Sequence, residues 1–267
     1  EEGYKEERVY NGLIWSGIIN PNSSVNNSNQ FIQAESITKN FLPSYGKIQK
    51  LHAWDDSLVV FLENKVLRTP ANKSALFNAD GSTNLISTNR VIGDPIEYNG
   101  DFGISNDPQS FSAFGFRCYF VDRKNGKIFR LSKDGLTPIS DVNMSDFFSD
   151  RLETTQTIFG SYDEGNNLYN LSFGTDNDTV CFSEAVNGWT TRKSFVPQYA
   201  ISLNSSYYTF SNGDMWIHGA SGVLRTNFYG IQSFSEVQLE INDDPSTVKK
   251  FKTLVYEGTK GWTADIK

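Results

Sequence analysis

The chain has 267 residues, 38% of them hydrophobic and 14% aromatic. That is enough apolar material for a packed core and too much for a disordered chain. Its 24 Lys and Arg against 31 Asp and Glu leave a net charge of −7. This balance excludes a nucleic-acid clamp, which needs basic stripes to displace phosphate counterions. No apolar run approaches the roughly 20 residues of a membrane-spanning helix, and the pattern of a secretory signal is missing.

In chain order, Glu1-Glu2-Gly3 opens without Met and Lys267 follows closely on Gly261-Trp262, so the chain reads as an excised piece of a longer one. Gly12 to Gly17 has the outer glycine spacing of a phosphate loop but lacks the Lys that must follow. Residues 20–30 and 72–89 are polar and read as surface excursions. Between them, 48–53 is a strand, and 58–61 pairs with 66–67 across a turn. Residues 95–108, with Gly100, Gly103 and Pro108, read as a connection between units.

The stretch 103–140 is the most informative part of the chain. A strand at 112–116 leads to the apolar run 118–121, and Asp122-Arg123-Lys124-Asn125-Gly126 turns the chain where Asn-Gly permits positive φ. The return, 127–131, is followed by a turn at Lys133-Asp134-Gly135 and a strand at 136–139. One helix is expected next: Asn143 caps it, and Met144, Phe147, Phe148 and Leu152 share one face.

The pattern then repeats. Strand 157–161 precedes the pair 168–173 and 179–183, with 188–191 after it. Strand 200–203 precedes the pair 207–210 and 215–218, with 223–225 after it. Turn centres fall near residues 64, 124, 176 and 212. Three to four short strands recurring every 40 to 60 residues or so read as propeller blades, although no Trp-Asp dipeptide repeats and a β-sandwich pair has similar strand density. The expected fold class is therefore all-β: a propeller-like domain of short antiparallel strands over residues 1–230, then the start of a further β region over 231–267. In that second region, 235–240 and 249–256 alternate apolar and polar side chains like strands of another sheet.

Catalytic and metal-binding vocabulary is sparse. Cys118 and Cys181 each sit in an apolar strand-like run and read as buried thiols, with a disulfide between them left open. His52 and His218 lie far apart in strands, with no Cys-x-x-Cys or His-x-x-x-His to help hold a metal. Asp176-Asn177-Asp178 has calcium-type oxygens but no bidentate Glu at the right distance, and reads as a hairpin tip. No Gly-x-Ser-x-Gly elbow occurs. Because many propellers host glycosidases with paired acids, Asp55, Asp56, Asp94, Asp122, Asp163 and Glu184 are the candidate acids, and each reads better as a local turn or structural acid. Trp15, Trp54, Trp189, Trp216 and Trp262 read mostly as core rather than sugar platforms. The Asn-x-Ser/Thr triplets, at Asn22 and Asn170 among others, read as chance in an Asn-rich chain. No catalytic, cofactor-binding or metal-binding residue is nominated.

Several strand-and-turn phrases carry a resemblance: Gly12-Leu13-Ile14-Trp15-Ser16-Gly17, Gly46-Lys47-Ile48-Gln49-Lys50-Leu51, and the run 58–68. Tyr119-Phe120-Val121-Asp122, Arg130-Leu131-Ser132, Gly160-Ser161-Tyr162-Asp163 and Gly188-Trp189 continue it, over roughly residues 9–262. They are similar to the tail muzzle proteins of crAss-like short-tailed bacteriophages, the counterparts of nozzle proteins. The resemblance implies a structural, non-enzymatic component of the virion tail. It would assemble cyclically with further copies, as a hexamer, and contact other tail proteins such as ring, portal-proximal or fibre proteins. DNA would pass through without specific binding. No cofactor is implied and no site residue is carried over. An acid excess suits a DNA conduit, since like charges repel within a Debye length of about 8–10 Å. Edge strands and the sheet expected near 235–256 are the contact surfaces anticipated. A glycan-binding or glycan-degrading propeller of a phage tail, and a secreted bacterial adhesion propeller, are the competing readings.

Overall fold

Short apolar runs separated by Asn, Asp and Gly fold into four successive antiparallel meanders in the computed structural model. The structure describes residues 6–17, 19–20, 25–34, 36–55, 57–71, 76–77, 83–84, 92–239, 244–255, 257–259 and 261–265. The chain divides into two units, Glu1–Ser233 and Phe234–Lys267. Sheet I runs Ile48–Trp54, Ser57–Leu62, Val66–Pro70 and Ile96–Glu97. Sheet II runs Ser112–Phe114, Arg117–Asp122, Lys127–Ser132 and Gly135–Pro138. Sheet III runs Ile158–Asp163, Leu168–Phe173, Asp178–Ser183 and Gly188–Lys193, and sheet IV runs Tyr199–Leu203, Ser206–Ser211 and Asp214–Ile217. No closed propeller is seen among the described residues.

The turns explain the register. Gly126, Asn167, Asn177, Asn187, Asn204 and Asn212 all adopt positive φ between the paired strands, the conformation that Gly and Asn reach at least steric cost. With the turns set, the period of two fixes which side chains share a face. In sheet II, Cys118, Phe120, Phe129 and Leu131 join Val59, Phe61 and Val66 of sheet I in one core. The opposite face of sheet II places Tyr119, Val121 and Ile128 against Tyr162, Tyr169, Leu171 and Phe182 of sheet III. Phe148 and Leu152 of the helix Ser145–Thr154 complete that second core. A third, smaller cluster covers the far face of sheet I, where Phe41, Leu13 and Tyr45 pack on Val60, Leu62 and Leu67.

Four expectations are corrected. Residues 95–108 do more than connect: Ile96 and Glu97 pair with Arg68 and Leu67 and supply the fourth strand of sheet I. The capture is tertiary, since Glu97 lies 3.3 Å from the nearly buried ammonium of Lys65 and accepts a hydrogen bond from Tyr45. Residues 223–225 form a bend, not a strand; the ladder nearby is Asn227–Phe228 with Ile231–Gln232. Asn143 does not cap the helix: it sits at φ +58, and Met144 holds the cap position without a side-chain bond. In the second unit, residues 235–240 and 249–256 form no strand among the described residues, because alternation supplies two faces but no ladder partner. Most of 72–89 lies outside the described residues; Leu76–Phe77 and Thr83–Asn84 pair as a two-residue ladder.

Candidate functional site

The acids that sequence alone could have offered as a catalytic pair are spent on structure. Asp122, 1% exposed, ends the second strand of sheet II. Its carboxylate accepts from the Gly103 N–H at 3.1 Å, the Ser105 hydroxyl at 3.1 Å, and the Asn125 N–H and Nδ2 at 3.2 and 2.7 Å. Asp163 repeats the device one sheet on, accepting from the Asn166 N–H at 3.2 Å and Nδ2 at 2.8 Å. The Asp-x-x-Asn spacing lets one side chain clamp the turn that follows its own strand. Glu184 instead bridges two sheets, accepting from the Tyr119 hydroxyl and from Arg130 Nη1, each at 2.7 Å. Burial first, then this carboxylate, pushes the Tyr119 hydroxyl well above the usual range. These three acids share no hydrogen-bond donor. Asp94 is exposed and pairs with Lys39, Asp55 is exposed in a turn at φ +48, and Asp56 lies outside the described residues.

The other candidates are equally engaged. His218 sits among the rings of Phe195, Tyr207, Phe228 and Tyr229. Its Nε2 is 2.7 Å from the Thr209 hydroxyl, to which Tyr229 donates at 3.1 Å. Burial, helped by the Lys193 charge and opposed by Asp163, pushes the imidazole down to about 4. His52 packs on Phe111, and its pKa is lowered by burial first and by Lys50 second. Cys118 and Cys181 are free, buried thiols, and burial raises Cys118 to about 12, far from the thiolate a nucleophile needs. Arg151 pairs with both Asp176 and Asp178, so that tip is an ion-paired hairpin. Among the described residues no group of three His, Cys, Asp or Glu is placed to hold a metal ion. Trp54 and Trp189 pack in the cores and Trp216 against Tyr229, Trp15 is half-buried, and Trp262 is half exposed in the second unit. Two clefts of about 300 and 270 Å³, beside Lys133-Asp134 and beside Pro197, gather no nucleophile with a base and are at or below the small end of ligand sites.

The buried polar groups instead tie sheet to sheet. Arg123 makes a two-pronged pair with Asp107 at 2.7 and 2.8 Å and also donates to the carbonyls of Leu152 and Thr155 at the end of the helix. Ser110 receives the Val121 N–H at 3.1 Å, while its own carbonyl receives the Tyr169 hydroxyl of sheet III at 2.9 Å. Ser161 of sheet III and Tyr207 of sheet IV share a hydroxyl contact of 2.7 Å. None of these pairings was legible in the sequence, since each partner lies 11 to 59 positions away.

One surface remains unspent. In sheet IV the central strand turns Tyr207 and Thr209 inward, both buried, and Tyr208 and Phe210 outward. Tyr199, Ile201, Met215 and Ile217 pair with those outward residues and so share their face, with Leu203 two residues further along its strand; all five are exposed. Residues 200–203 were legible as a strand, but not which face would stay bare.

A family model for the Crassvirus muzzle protein matches residues 2–213. The chain belongs to the Crassvirus muzzle protein family. Membership makes it a tail muzzle component of the virion, in a family of viral tail structural proteins. No curated protein matches the chain. Among solved structures, the crystal structure of Kluyvelomyces marxianus Hsv2 is similar at a TM-score of 0.40 and 8% identity, over 79% of this chain and 57% of that one. The muzzle chain thus spans little more than half of that protein, and so loose a likeness carries no argument. No helix among the described residues is long and apolar enough to cross a membrane.

Proposed function

We propose that this muzzle chain builds part of a ring at the distal end of the tail, around the channel through which genomic DNA leaves. In this reading the four meanders are blades of a propeller-like domain within residues 1–230, and 231–267 begin a further region. The first strands of sheets II, III and IV neighbour one another in turn, as the inner strands of blades do. The observation that carries the functional reading is the use of the buried polar groups: Asp122, Asp163, Glu184, Arg123 and Ser110 clamp turns and join sheets. Groups spent in this way hold a scaffold together, which supports a structural role. The partners are further copies in a hexameric ring, the adjoining tail proteins, and DNA that slides past. The net charge of −7 keeps phosphate from adhering.

Cryo-electron microscopy of intact tails tests this reading. A sixfold or twelvefold ring of this chain around a central channel is the expected result. Monomers or trimers projecting sideways would overturn it and turn attention to glycan recognition.

A further inference from the structure

Within residues 1–233 the sheets stack in the order I, II, III, IV: I and II share one core, II and III another, and Tyr207 of sheet IV docks on Ser161 of sheet III. The first and last faces differ from these and resemble each other. On sheet IV, Tyr199, Ile201, Leu203, Met215 and Ile217 are 55%, 46%, 66%, 64% and 49% exposed. No charged side chain belongs to that face, whose remaining outward positions are Ser206, Tyr208 and Phe210. At the other end, Leu13, Phe41 and Tyr45 cover sheet I. Ile14, which alternates with Leu13 in its strand, then points away, with Tyr10 just before that strand and Leu42 brought to it by the Phe41 N–H bond to the Asn11 carbonyl; Ile14, Tyr10 and Leu42 are 62%, 53% and 57% exposed.

We propose that the bare face of sheet IV is a subunit contact that receives the N-terminal layer of a second copy of this chain, around Tyr10, Ile14 and Leu42. Three observations select this occupant. The sheet IV patch, on the order of 500 Å², is near the upper limit for the largest patch of a monomer. The two patches together reach on the order of 1,000 Å², the size at which an interface becomes specific. The sheet IV face carries no charge that would call for a charged ligand, and the cation at the N-terminal patch, Lys47, lies over the Tyr10 ring at 5.1 Å. Two different patches on the first and last faces also make the contact head-to-tail, so each bound copy leaves one of each free. Such heterologous contacts close into rings when the rotation permits. The inference rests on the ring reading above and adds which surfaces meet.

Two measurements on the purified chain test it. Ile201→Asp and Leu203→Asp change exposed side chains, so circular dichroism and the melting temperature stay as in the parent, while association measured by sedimentation weakens roughly a hundredfold. Separately, Leu203→Cys and Ile14→Cys chains are mixed and oxidised; Cys118 and Cys181 are buried and do not compete. A disulfide-linked pair of one Leu203→Cys and one Ile14→Cys chain is the expected product. Leu203→Cys chains linking to each other would mean a two-fold contact and overturn the proposal. A parent ring that survives both Asp changes and gives no mixed crosslink would overturn it while leaving the ring reading intact. A parent chain that stays monomeric at every concentration would overturn both.

Discussion

At the scale of single residues, His218 and Glu184 carry the sharpest consequences. The folded chain holds His218 near a pKa of about 4, against about 6.5 when solvated. Between those values the unfolded chain binds a proton that the folded chain refuses, so stability is unaffected above about pH 6.5 and falls as pH drops towards 4. The slope from this group is at most about 1.4 kcal/mol per pH unit. Thermal melts from pH 7 to 4 should therefore show a shallower acid loss for His218→Gln than for the parent, because the carboxylate background is common to both. Parallel curves would mean that the ring of aromatics does not hold the imidazole neutral. Glu184 makes a different prediction. Its removal in Glu184→Ala leaves Arg130 and the Tyr119 hydroxyl without their acceptor, and breaking such a partly buried pair costs roughly 3 kcal/mol in chemical denaturation. A loss under about 1 kcal/mol would place the pair among exposed bridges, which contribute little.

At the scale of elements, the hairpins show how much can be read from the chain. The runs around 118–121, 127–131, 168–173 and 179–183 appear as strands within one or two residues of their expected ends, since β-branched and aromatic alternation and Asn-Gly turns act locally. Ile96–Glu97 was not legible because its strand exists only through Lys65, Tyr45 and the edge of Val66–Pro70. Residues 249–255 show the reverse case, a good pattern that forms no ladder among the described residues. The contact between sheets II and III gives an element-scale test. A Cβ on Gly160 would lie 1.9 Å from the Ser110 carbonyl oxygen and 3.0 Å from the Tyr169 hydroxyl. Gly160→Ala must push the Pro108–Ser110 turn away from sheet III and should cost at least about 1–3 kcal/mol. Gly213→Ala, whose Cβ meets nothing within 4 Å although φ is +87, separates crowding from backbone strain. A smaller loss at Gly160 than at Gly213 would mean that the sheets yield at this contact.

At the scale of the whole molecule, the candidate acids Asp122, Asp163 and Glu184 are turn clamps and bridges, and the face left over on sheet IV is apolar and charge-free. That combination fits a tail component whose work is to assemble, and it places the next experiment on the ends of the stack. The candidate surface was half legible: 200–203 and 207–210 read as strands, yet only the docking of Tyr207 against Ser161 of sheet III decided which side stays bare.

By itself the sequence determined the central hairpin strands, their turns and the muzzle family resemblance. All of these depend on contacts between residues close in the chain or on phrases read in order. Only the tertiary structure decided the fate of the polar residues and the choice of the exposed face. Asp122 with Gly103, Glu184 with Tyr119, and Ser110 with Tyr169 meet across 19, 65 and 59 positions. No local period encodes such a pairing, because it is set by which sheet face stacks on which.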